Sequence, residues 1–287
     1  IKRGFEEAGY DISFRILDAA DYGVPQHRER MFIVGLTGTS FHFPAPTHGP
    51  DSPDNSPHIG AAEAVKGAEI SERERGASVN GRFGHLLEQV PEGLNYSFFT
   101  EKMGHPQPIF AWRSKFSDFL YKADRKVPVR TLKAQGGQYT GPFHWDNRPF
   151  SVAELKRLQT FPDKYNIMGS RQVAIHQIGN SVPPQLARIL ALAILQQAFG
   201  VDLPSSLPLL GSDEVLGFRK RKRGLTSVYK SKATAAIGDR KPSKTRAVTD
   251  SAYRARIKPE FGWEPCEDGP LCVQAKLGAD EWVVRVD

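Results

Sequence analysis

The alternation of apolar and polar positions predicts helices most clearly in residues 148–200. Ser151 and Glu154 have the spacing of a capping box, which marks the start of a helix. The apolar stripe of that helix consists of Val152, Leu155 and Leu158. The helix is expected to end at Phe161-Pro162, because proline cannot donate a backbone hydrogen bond and clashes with the preceding turn.

Two further helices are predicted after it. One begins near Arg171 and leads into Gly179, a residue that suits a left-handed helix cap. The other opens at Pro183 and Pro184 and ends at Gly200. Its apolar face, which predicts burial in a core, consists of Leu186, Ile189, Leu190, Ala193 and Ile194.

The tripeptide Asn180-Ser181-Val182 lies between these two helices. Small polar groups and free backbone N–H donors at a helix N-terminus form a site for an anionic group such as a carboxylate. The sequence therefore predicts such a site here. The alternative is a turn that only joins the two helices.

Near the start of the chain the apolar positions alternate as they do in strands. Residues 2–8 predict the last turns of a helix that stops at Gly9, and residues 10–16 predict a strand. The apolar run 31–35 predicts a second strand, close enough in sequence to pair antiparallel with the first.

Between these strands lies the polar sequence Gln26-His27-Arg28-Glu29-Arg30. In extended backbone Gln26, Arg28 and Arg30 project from one face, where one amide and two guanidiniums could contact a phosphate and the edge of a base. Arg30 is nearer the apolar run and is expected to lie deeper than Arg28. The alternative is a solvated basic strand edge.

Residues 37–147 show weak periodicity and predict irregular structure. Their second half interleaves aromatic with basic residues, a composition that suits phosphate contact, and Arg113 and Lys115 are the candidates for it. A predicted core group there consists of Phe116, Phe119 and Leu120. A glycine-bearing run that predicts a loop, which could equally be a tight turn, is Arg130-Thr131-Leu132-Lys133-Ala134-Gln135-Gly136-Gly137-Gln138-Tyr139.

The composition changes again after Gly200. Residues 217–258 are strongly basic and contain few large apolar side chains, which predicts a mostly disordered or loosely attached segment. This segment either binds nucleic-acid backbone or is merely solvated. Residues 282–286 alternate enough to predict a strand.

The 287 residues carry a net charge of +7 and are 39% hydrophobic, which fits one or two domains with a sizeable core and a polyanionic partner. No apolar run approaches the roughly 18 residues of a membrane helix, so no membrane is expected. Cys266 and Cys272 are too few for a disulfide framework or a four-cysteine zinc site, and no metal is expected.

The motifs and their order resemble the cytosine-5 DNA methyltransferases. Residues 22–30, from Tyr-Gly-Val-Pro through Gln26, Arg28 and Arg30, are similar to the eighth motif of that family. The ninth motif is matched by Arg148, Glu154, Gln159, Phe161 and Pro162, and the tenth by Gln177, Gly179, Asn180, Ser181 and Val182. The likeness ends near Gly200.

The resemblance implies an α/β fold, the C-terminal part of a doubly wound Rossmann-like methyltransferase domain with an inserted mixed α/β target-recognition domain. Residues 1–36 would end the catalytic domain, and residues 37–147 would form the target-recognition domain. Residues 148–200 would be helices that return to the catalytic domain. Residues 201–287 would be a basic linker and extension of unknown role.

The resemblance also implies roles for single residues. The catalytic contribution falls on Gln26, Arg28 and Arg30, of which Arg30 reaches a cytosine swung out of the duplex and Arg28 lies near the DNA backbone. The turn Asn180-Ser181-Val182 lines the pocket of S-adenosyl-L-methionine. Structural support of the recognition region falls on Arg148, Glu154 and Gln159. Contacts to double-stranded DNA fall on Arg113, Lys115, Arg130, Thr131, Lys133, Gln135, Gly136, Gly137 and Gln138.

Three family motifs that precede the eighth motif are missing from the sequence: a Gly-rich cofactor motif after the first strand, the Pro-Cys-Gln nucleophile loop and the Glu-Asn-Val motif. Pro265-Cys266 is followed by Glu267 and lies at the wrong end of the chain. A thiolate must attack carbon 6 of cytosine, and a carboxylic acid must stabilise the ring nitrogen, before carbon 5 can be methylated. The chain is therefore expected to be inactive alone and to act with an N-terminal portion, as a fragment or as half of a split enzyme.

Two alternative functions stay open at this point. One is a non-catalytic, sequence-specific DNA-binding module derived from the family. The other is an RNA (cytosine-5-)-methyltransferase relative that acts on transfer RNA, although the long recognition interval favours DNA. No signal peptide opens the sequence, so the expected location is the cytoplasm, with nucleoid association in a bacterium.

Overall fold

The computed structural model describes residues 2–113, 116–205, 207–238, 272–277 and 280–285. The chain divides into two compact units, Ile1–Lys241 and Pro242–Asp287. The first unit contains both helices and strands, in agreement with the predicted α/β composition. The sheets of the described residues are two-stranded, so the doubly wound sheet stays a prediction.

The N-terminal elements agree with the predicted helix and strand pair. Helix α1 (Lys2–Glu7) precedes strand β1 (Asp11–Asp18), and a 3₁₀ turn leads to the short strand β2 (Gln26–His27) and to strand β3 (Glu29–Leu36). Strands β1 and β3 pair antiparallel as predicted, with Ile16 opposite Met31 and Ser13 opposite Val34. One face of this sheet packs on a core through Leu17, Phe32, Val34 and Leu36.

The opposite face of the β1–β3 sheet is apolar and uncovered. Phe14 lies opposite Ile33, and Ile16 lies opposite Met31. Phe14, Met31 and Ile33 expose 60%, 58% and 40% of their surface. An antiparallel sheet can leave one face open to solvent, but that face is normally polar, so an apolar face open to solvent is unusual. We call the group Phe14, Ile16, Met31 and Ile33 the open face.

The segment between β3 and residue 148 is mostly irregular, as its weak periodicity predicted. It contains the short helices α2 (Ala61–Val65) and α3 (Glu72–Arg75), several 3₁₀ turns and strand β4 (Val129–Arg130). Strand β4 pairs parallel with β2, so that Gln26 lies opposite Val129. This pairing joins the polar sequence 26–30 to the start of the predicted recognition loop.

The three predicted C-terminal helices are present as α4 (Val152–Leu158), α5 (Arg171–Asn180) and α6 (Pro184–Phe199). The capping box of Ser151 and Glu154 forms at α4, and Gly200 ends α6 with a φ of 62°. The predicted apolar face of α6 packs against Leu17, Tyr22 and Val24 of the N-terminal elements. The returning helices therefore share one core with strand β1.

Two more core clusters stabilise the intervening segment. One contains Phe98, Phe99, Leu120 and Phe143, and the other joins Val129 and Leu132 to Leu155, Leu158 and Ile178 of helices α4 and α5. The predicted core residues Phe119 and Leu120 belong to the former, whereas Phe116 is 39% exposed at its margin. These three residues lie in turns and not in a regular helix.

The prediction of a disordered or loosely attached basic segment is wrong for its first half. Residues 218–237 form helix α7 (Phe218–Ile237), and Ala233 of this helix is fully buried in the cluster around Phe98 and Phe99. Residues 239–258 lie outside the described part. In the second unit, β5 (Cys272–Leu277) and β6 (Asp280–Arg285) pair antiparallel, which places the predicted strand at β6, although Val286 is not described.

One stretch, Arg171–Phe199, is apolar enough by composition to cross a membrane. It is interrupted at Ser181–Pro183 and forms two helices, of which the longer, α6, has 16 residues. Sixteen residues span about 24 Å at 1.5 Å per residue, short of a hydrocarbon core of roughly 30 Å. Because Leu186 and Ile189 of α6 lie in the protein core, we interpret α6 as a core helix.

Candidate active site and nucleic-acid interface

The buried carboxylate of Asp18 binds two residues of the sequence 26–30, His27 and Arg28. Its Oδ1 accepts hydrogen bonds from the backbone N–H groups of Arg28 at 2.8 Å and Ala20 at 3.3 Å, and its Oδ2 lies 2.8 Å from Nδ1 of His27. Burial would raise the pKa of Asp18, but the hydrogen bond and charge of His27 outweigh it and the pKa is lowered. The ionised carboxylate therefore holds Arg28 out of the β-ladder, between β2 and β3.

Gln26 is fully buried and links three parts of the chain. Its side-chain N–H donates to Oε1 of Gln159, and its own Oε1 accepts from the backbone N–H of Leu132 at 2.8 Å. Gln159, also fully buried, donates to the carbonyl of Ile178 at 3.0 Å and to that of Ser181 at 2.9 Å. One pair of glutamines thus ties the eighth-motif sequence, the predicted recognition loop and the turn after α5 together.

The predicted depth of the two arginines is wrong: Arg28 is buried and Arg30 is exposed. Arg28 donates to the carbonyls of Gly179 at 2.8 Å and Leu132 at 3.4 Å, and its Nε has no hydrogen-bond partner. Burial and then the charge of Arg30 lower the pKa of Arg28 to about 10. Gln26 and Arg28 both bond the backbone of Leu132, whereas the exposed Arg30 donates to the carbonyl of Glu29.

Gly179 does not form the predicted left-handed cap. It lies inside α5, where an added Cβ would stand 2.4 Å from the backbone N of Ala134 and 2.5 Å from its Cα. Real side chains do not approach a backbone so closely. The glycine is therefore needed because the recognition loop crosses helix α5 at this point.

We expect Gly179→Ala to destabilise the chain by about 1–3 kcal/mol, the usual cost of overpacking. The sign is informative, because alanine normally stabilises a helix interior by roughly 1 kcal/mol relative to glycine. The matched control is Gly224→Ala in α7, where an added Cβ meets nothing within 4 Å, and which should be neutral or stabilising. Urea unfolding measures the stability of both variants. Equal changes in stability would contradict the close approach of the recognition loop to Gly179.

Residues 183–185, next to the predicted anion site, offer no open backbone N–H donor. Pro183 and Pro184 have no N–H group, and the N–H of Gln185 donates to Oγ1 of Thr160 at 3.0 Å. Ser181 caps α5, and its hydroxyl donates to the carbonyl of Ile178 at 2.7 Å. Asn180 at the end of α5 is exposed, as is Val182 at 48%. Only these two side chains of the turn are open to a ligand.

Arg148 and Glu154 form a buried, bidentate ion pair at the start of α4. Two Arg148 nitrogens donate to the two carboxylate oxygens at 2.8 and 2.7 Å, and the backbone N–H of Ser151 donates to Glu154 at 2.7 Å. Burial would raise the pKa of Glu154, but the hydrogen bonds of Arg148 and Ser151 lower it overall. His144 packs beside the pair, with Nε2 3.6 Å from Glu154.

The stability of the chain is expected to fall between pH 6.5 and 4 because of His144. Burial and then the charge of Arg148 lower the pKa of His144 to about 4. A histidine in the unfolded chain has a pKa near 6.5. Between pH 6.5 and 4 the unfolded state therefore binds a proton that the folded state does not bind, and protonation favours unfolding. His144→Gln should reduce the fall of the urea midpoint between pH 6.5 and 4, whereas substitution of the exposed His85 by Gln should not. If the midpoint of His144→Gln falls as steeply as that of the wild type, His144 is not the cause.

The predicted recognition loop is fixed at its start and open at its tip. Thr131 Oγ1 donates to the carbonyl of His27 at 2.8 Å, and Lys133 pairs with Asp118 at 3.2 Å. Arg130 donates through Nη1 to the carbonyl of Ser117 at 2.8 Å. The exposed residues of the tip are Gln135, Gly136, Gly137 and Gln138, of which Gln138 donates to the carbonyl of Asn80 at 2.6 Å.

The other basic residues of this region differ in their exposure. Arg113 is half-buried, and Lys115 lies outside the described residues. Lys122 is buried, donates to the carbonyl of Glu88 at 3.4 Å and has a pKa lowered by burial to about 8, so it does not face DNA phosphate. Arg125 is exposed but forms a bidentate pair with Glu92. Of the interleaved basic residues, therefore, the buried Lys122 does not fit the predicted phosphate contact.

Within the described ranges, no group of three or more His, Cys, Asp or Glu side chains is arranged to hold a metal ion. The histidines and aspartates near residue 20 form two separate pairs instead, His27 with Asp18 and His58 with Asp21, each at 2.8 Å. These pairs fix the backbone before β2 and were not singled out by the sequence analysis.

The sequence profile of the C-5 cytosine-specific DNA methylases matches residues 1–196, which is more than half of the chain. The chain belongs to this family. Among curated methylases, it is 40% identical over 217 residues to the type II methyltransferase M.SacI of Streptomyces achromogenes, covering 69% of this chain and 55% of that protein. M.NgoFVII of Neisseria gonorrhoeae is 33% identical over 197 residues, covering 67% and 51%.

The chain spans about half the length of the curated methylases it matches. Among solved structures, a DNA modification methyltransferase encoded within an E. coli prophage is similar with a TM-score of 0.40 and 20% identity, covering 70% of this chain and 64% of that one. Helix α7 begins at Phe218 and lies beyond the residues that the methylase profile matches.

The sequence analysis missed the packing of α7 on the segment between β3 and residue 148. Tyr229, Ala233, Ala236 and Ile237 pack against the cluster around Phe98 and Phe99. Their spacing of four, three and one is a helical apolar stripe. That stripe was visible in the sequence, but the high positive charge of the segment favoured the prediction of disorder.

Proposed function

We propose that this chain is the C-terminal part of a DNA (cytosine-5-)-methyltransferase, completed by an N-terminal catalytic portion as a longer chain or as a separate subunit. In the completed enzyme, residues 37–147 would recognise the DNA sequence and the site around Arg30 would accept a flipped cytosine. The chain's sequence contains neither the Pro-Cys-Gln nor the Glu-Asn-Val motif. The N-terminal portion would supply the nucleophile and the acid.

The observation that carries this proposal is the open face of the β1–β3 sheet. Its side chains, Phe14, Ile16, Met31 and Ile33, alternate with the residues that pack on the core, so both faces of the sheet are built to be buried. A two-stranded sheet is also marginally stable unless further strands or helices cover it. The missing elements of a methyltransferase domain would cover this face.

The cofactor of the completed enzyme would be S-adenosyl-L-methionine, which supplies the methyl group. The residues of this chain fit only part of such a site, because Pro183 and Pro184 lack an N–H group and the N–H of Gln185 is bonded to Thr160. Asn180 and Val182 are exposed at the turn after α5 and would line one wall. Ser181 would act through its hydrogen bonds with Gln159 and Ile178, which fix the turn.

The proposal predicts that the isolated chain does not methylate DNA and that activity appears when the N-terminal portion of a related methylase is added. Tritium transfer from labelled cofactor to duplex DNA measures both. Robust transfer by the isolated chain would overturn the proposal. Sequence-specific binding without transfer after mixing would favour the non-catalytic DNA-binding module instead.

A pair of surface variants tests whether the open face is the contact between the two portions. Phe14→Lys should abolish the restored activity, because it places a charge in a surface that must be desolvated. Val228→Lys is the matched control, since Val228 is also apolar and is 54% exposed, but it lies on α7, which packs on the cluster around Phe98 and Phe99. Equal activity of the two variants would exclude the open face as the contact.

A further inference from the structure

Helix α7 packs against the region predicted to recognise DNA, although it lies beyond the residues that the methylase profile matches. Ala233 is fully buried in the cluster around Phe98 and Phe99, and Tyr229 packs at its margin. Lys232 donates to the carboxylate of Asp124. Hydrophobic burial and an ion pair therefore fix this helix beside the recognition region.

Tyr229 of α7 contacts Arg130, the first residue of the predicted recognition loop. The Arg130 guanidinium carbon lies 5.2 Å from the centroid of the Tyr229 ring and 4.1 Å from that of the Tyr121 ring. Both distances fall in the range of cation–π contacts. Tyr121 is buried in the recognition region and lies within the residues that match the family profile, whereas Tyr229 lies beyond them.

The Arg130 guanidinium is thus restrained by two rings and by its hydrogen bond to the Ser117 carbonyl. Its backbone is restrained as well, because β4 pairs with β2 and Thr131 donates to His27. In the described part of the chain, the remaining guanidinium donors have no hydrogen-bond partner. A restrained arginine with open donors can read the O6 and N7 acceptors of guanine, whereas a phosphate contact needs no fixed orientation.

We propose that Tyr229 is a positioning residue for sequence recognition, which holds the Arg130 guanidinium so that its open donors read a base edge in the major groove. Helix α7 would then be a specificity element outside the family match. This inference rests on the proposed function, because it requires the chain to bind DNA.

The test measures the sequence preference of the full 287-residue chain by selection from a randomised duplex library. Tyr229→Leu removes the ring and keeps an apolar side chain, and Tyr229→Phe keeps the ring. We expect Tyr229→Leu to reduce the preference for a base at the affected position about five- to tenfold, and Tyr229→Phe to retain it. Arg130→Ala should lose preference at the same position, and the double variant should lose no more than Arg130→Ala alone.

The control is Val228→Ala, the neighbouring residue, which is 54% exposed and should leave the preference unchanged. If Tyr229→Leu keeps the wild-type preference, or weakens binding to all sequences equally, the positioning role is wrong while the proposed function stands. If the wild-type chain binds no duplex even after the N-terminal portion of a related methylase is added, the proposed function fails and this inference fails with it. Thermal unfolding of each variant shows that the comparison concerns folded proteins.

Discussion

Glu154→Ala is expected to lower the free energy of unfolding by about 3–5 kcal/mol, the largest effect on stability that we predict for a single side chain. The carboxylate neutralises the buried Arg148 through two hydrogen bonds and also accepts the N–H of Ser151. Its removal leaves a buried guanidinium without its charge partner, and this costs far more than an exposed ion pair is worth. Urea unfolding at pH 7 measures the change.

The chain contains its own control for this prediction. Glu74 forms the same capping box with Ser71 at the start of α3, but that helix has no buried residue. Glu74→Ala should cost about 1 kcal/mol or less, because only an exposed cap is lost. If the two variants lose similar stability, the capping box and not the buried charge pair accounts for the effect of Glu154.

Arg30→Ala in the completed enzyme is expected to reduce single-turnover methylation about a hundredfold, the scale of one lost oxyanion-type donor. Arg30 is exposed, and its bond to the Glu29 carbonyl uses only one donor, so the guanidinium is open to a substrate. A charged donor directed at the carbonyl of the flipped ring would gain most as negative charge develops during thiolate attack. Duplex affinity and chain stability should stay nearly unchanged.

Arg28→Ala should behave differently, because Arg28 is buried and holds the carbonyls of Gly179 and Leu132. We expect it to lower the stability of the chain and to weaken DNA binding through the predicted recognition loop, which contains Leu132. Arg3→Ala is the surface control, since its side chain is 90% exposed on α1. If Arg30→Ala weakens binding as much as Arg28→Ala and leaves the single-turnover rate alone, then Arg30 contacts phosphate and not the cytosine.

Local rules were sufficient to predict the helices and the strand pair of this chain. The capping box at Ser151, the prolines before α6 and Gly200 after it act over a few residues, and their effects are present in the structure. The pairing of β1 with β3 followed from two apolar runs close in sequence. The resemblance to the methylase family was also visible in the sequence, because each motif is short and contiguous and the motifs occur in the family's order.

The burial of particular side chains depended on partners distant in sequence. Arg28 is buried where its guanidinium donates to the carbonyls of Leu132 and Gly179, more than a hundred residues later in the chain, and its amide donates to Asp18. Gly179 is required by the backbone of Ala134, which crosses α5, and not by a helix cap. Neither contact has a signature in the sequence around the residue it controls.

Helix α7 gives the clearest contrast between composition and structure. Its positive charge predicted a loosely attached segment, because charge repulsion opposes collapse when no apolar partner is known. In the fold, Tyr229 and Ala233 meet the aromatic cluster around Phe98, more than a hundred residues earlier in the chain. The burial of apolar surface on that cluster outweighs the charge of the helix, and a contact of this separation becomes visible only when the chain is folded.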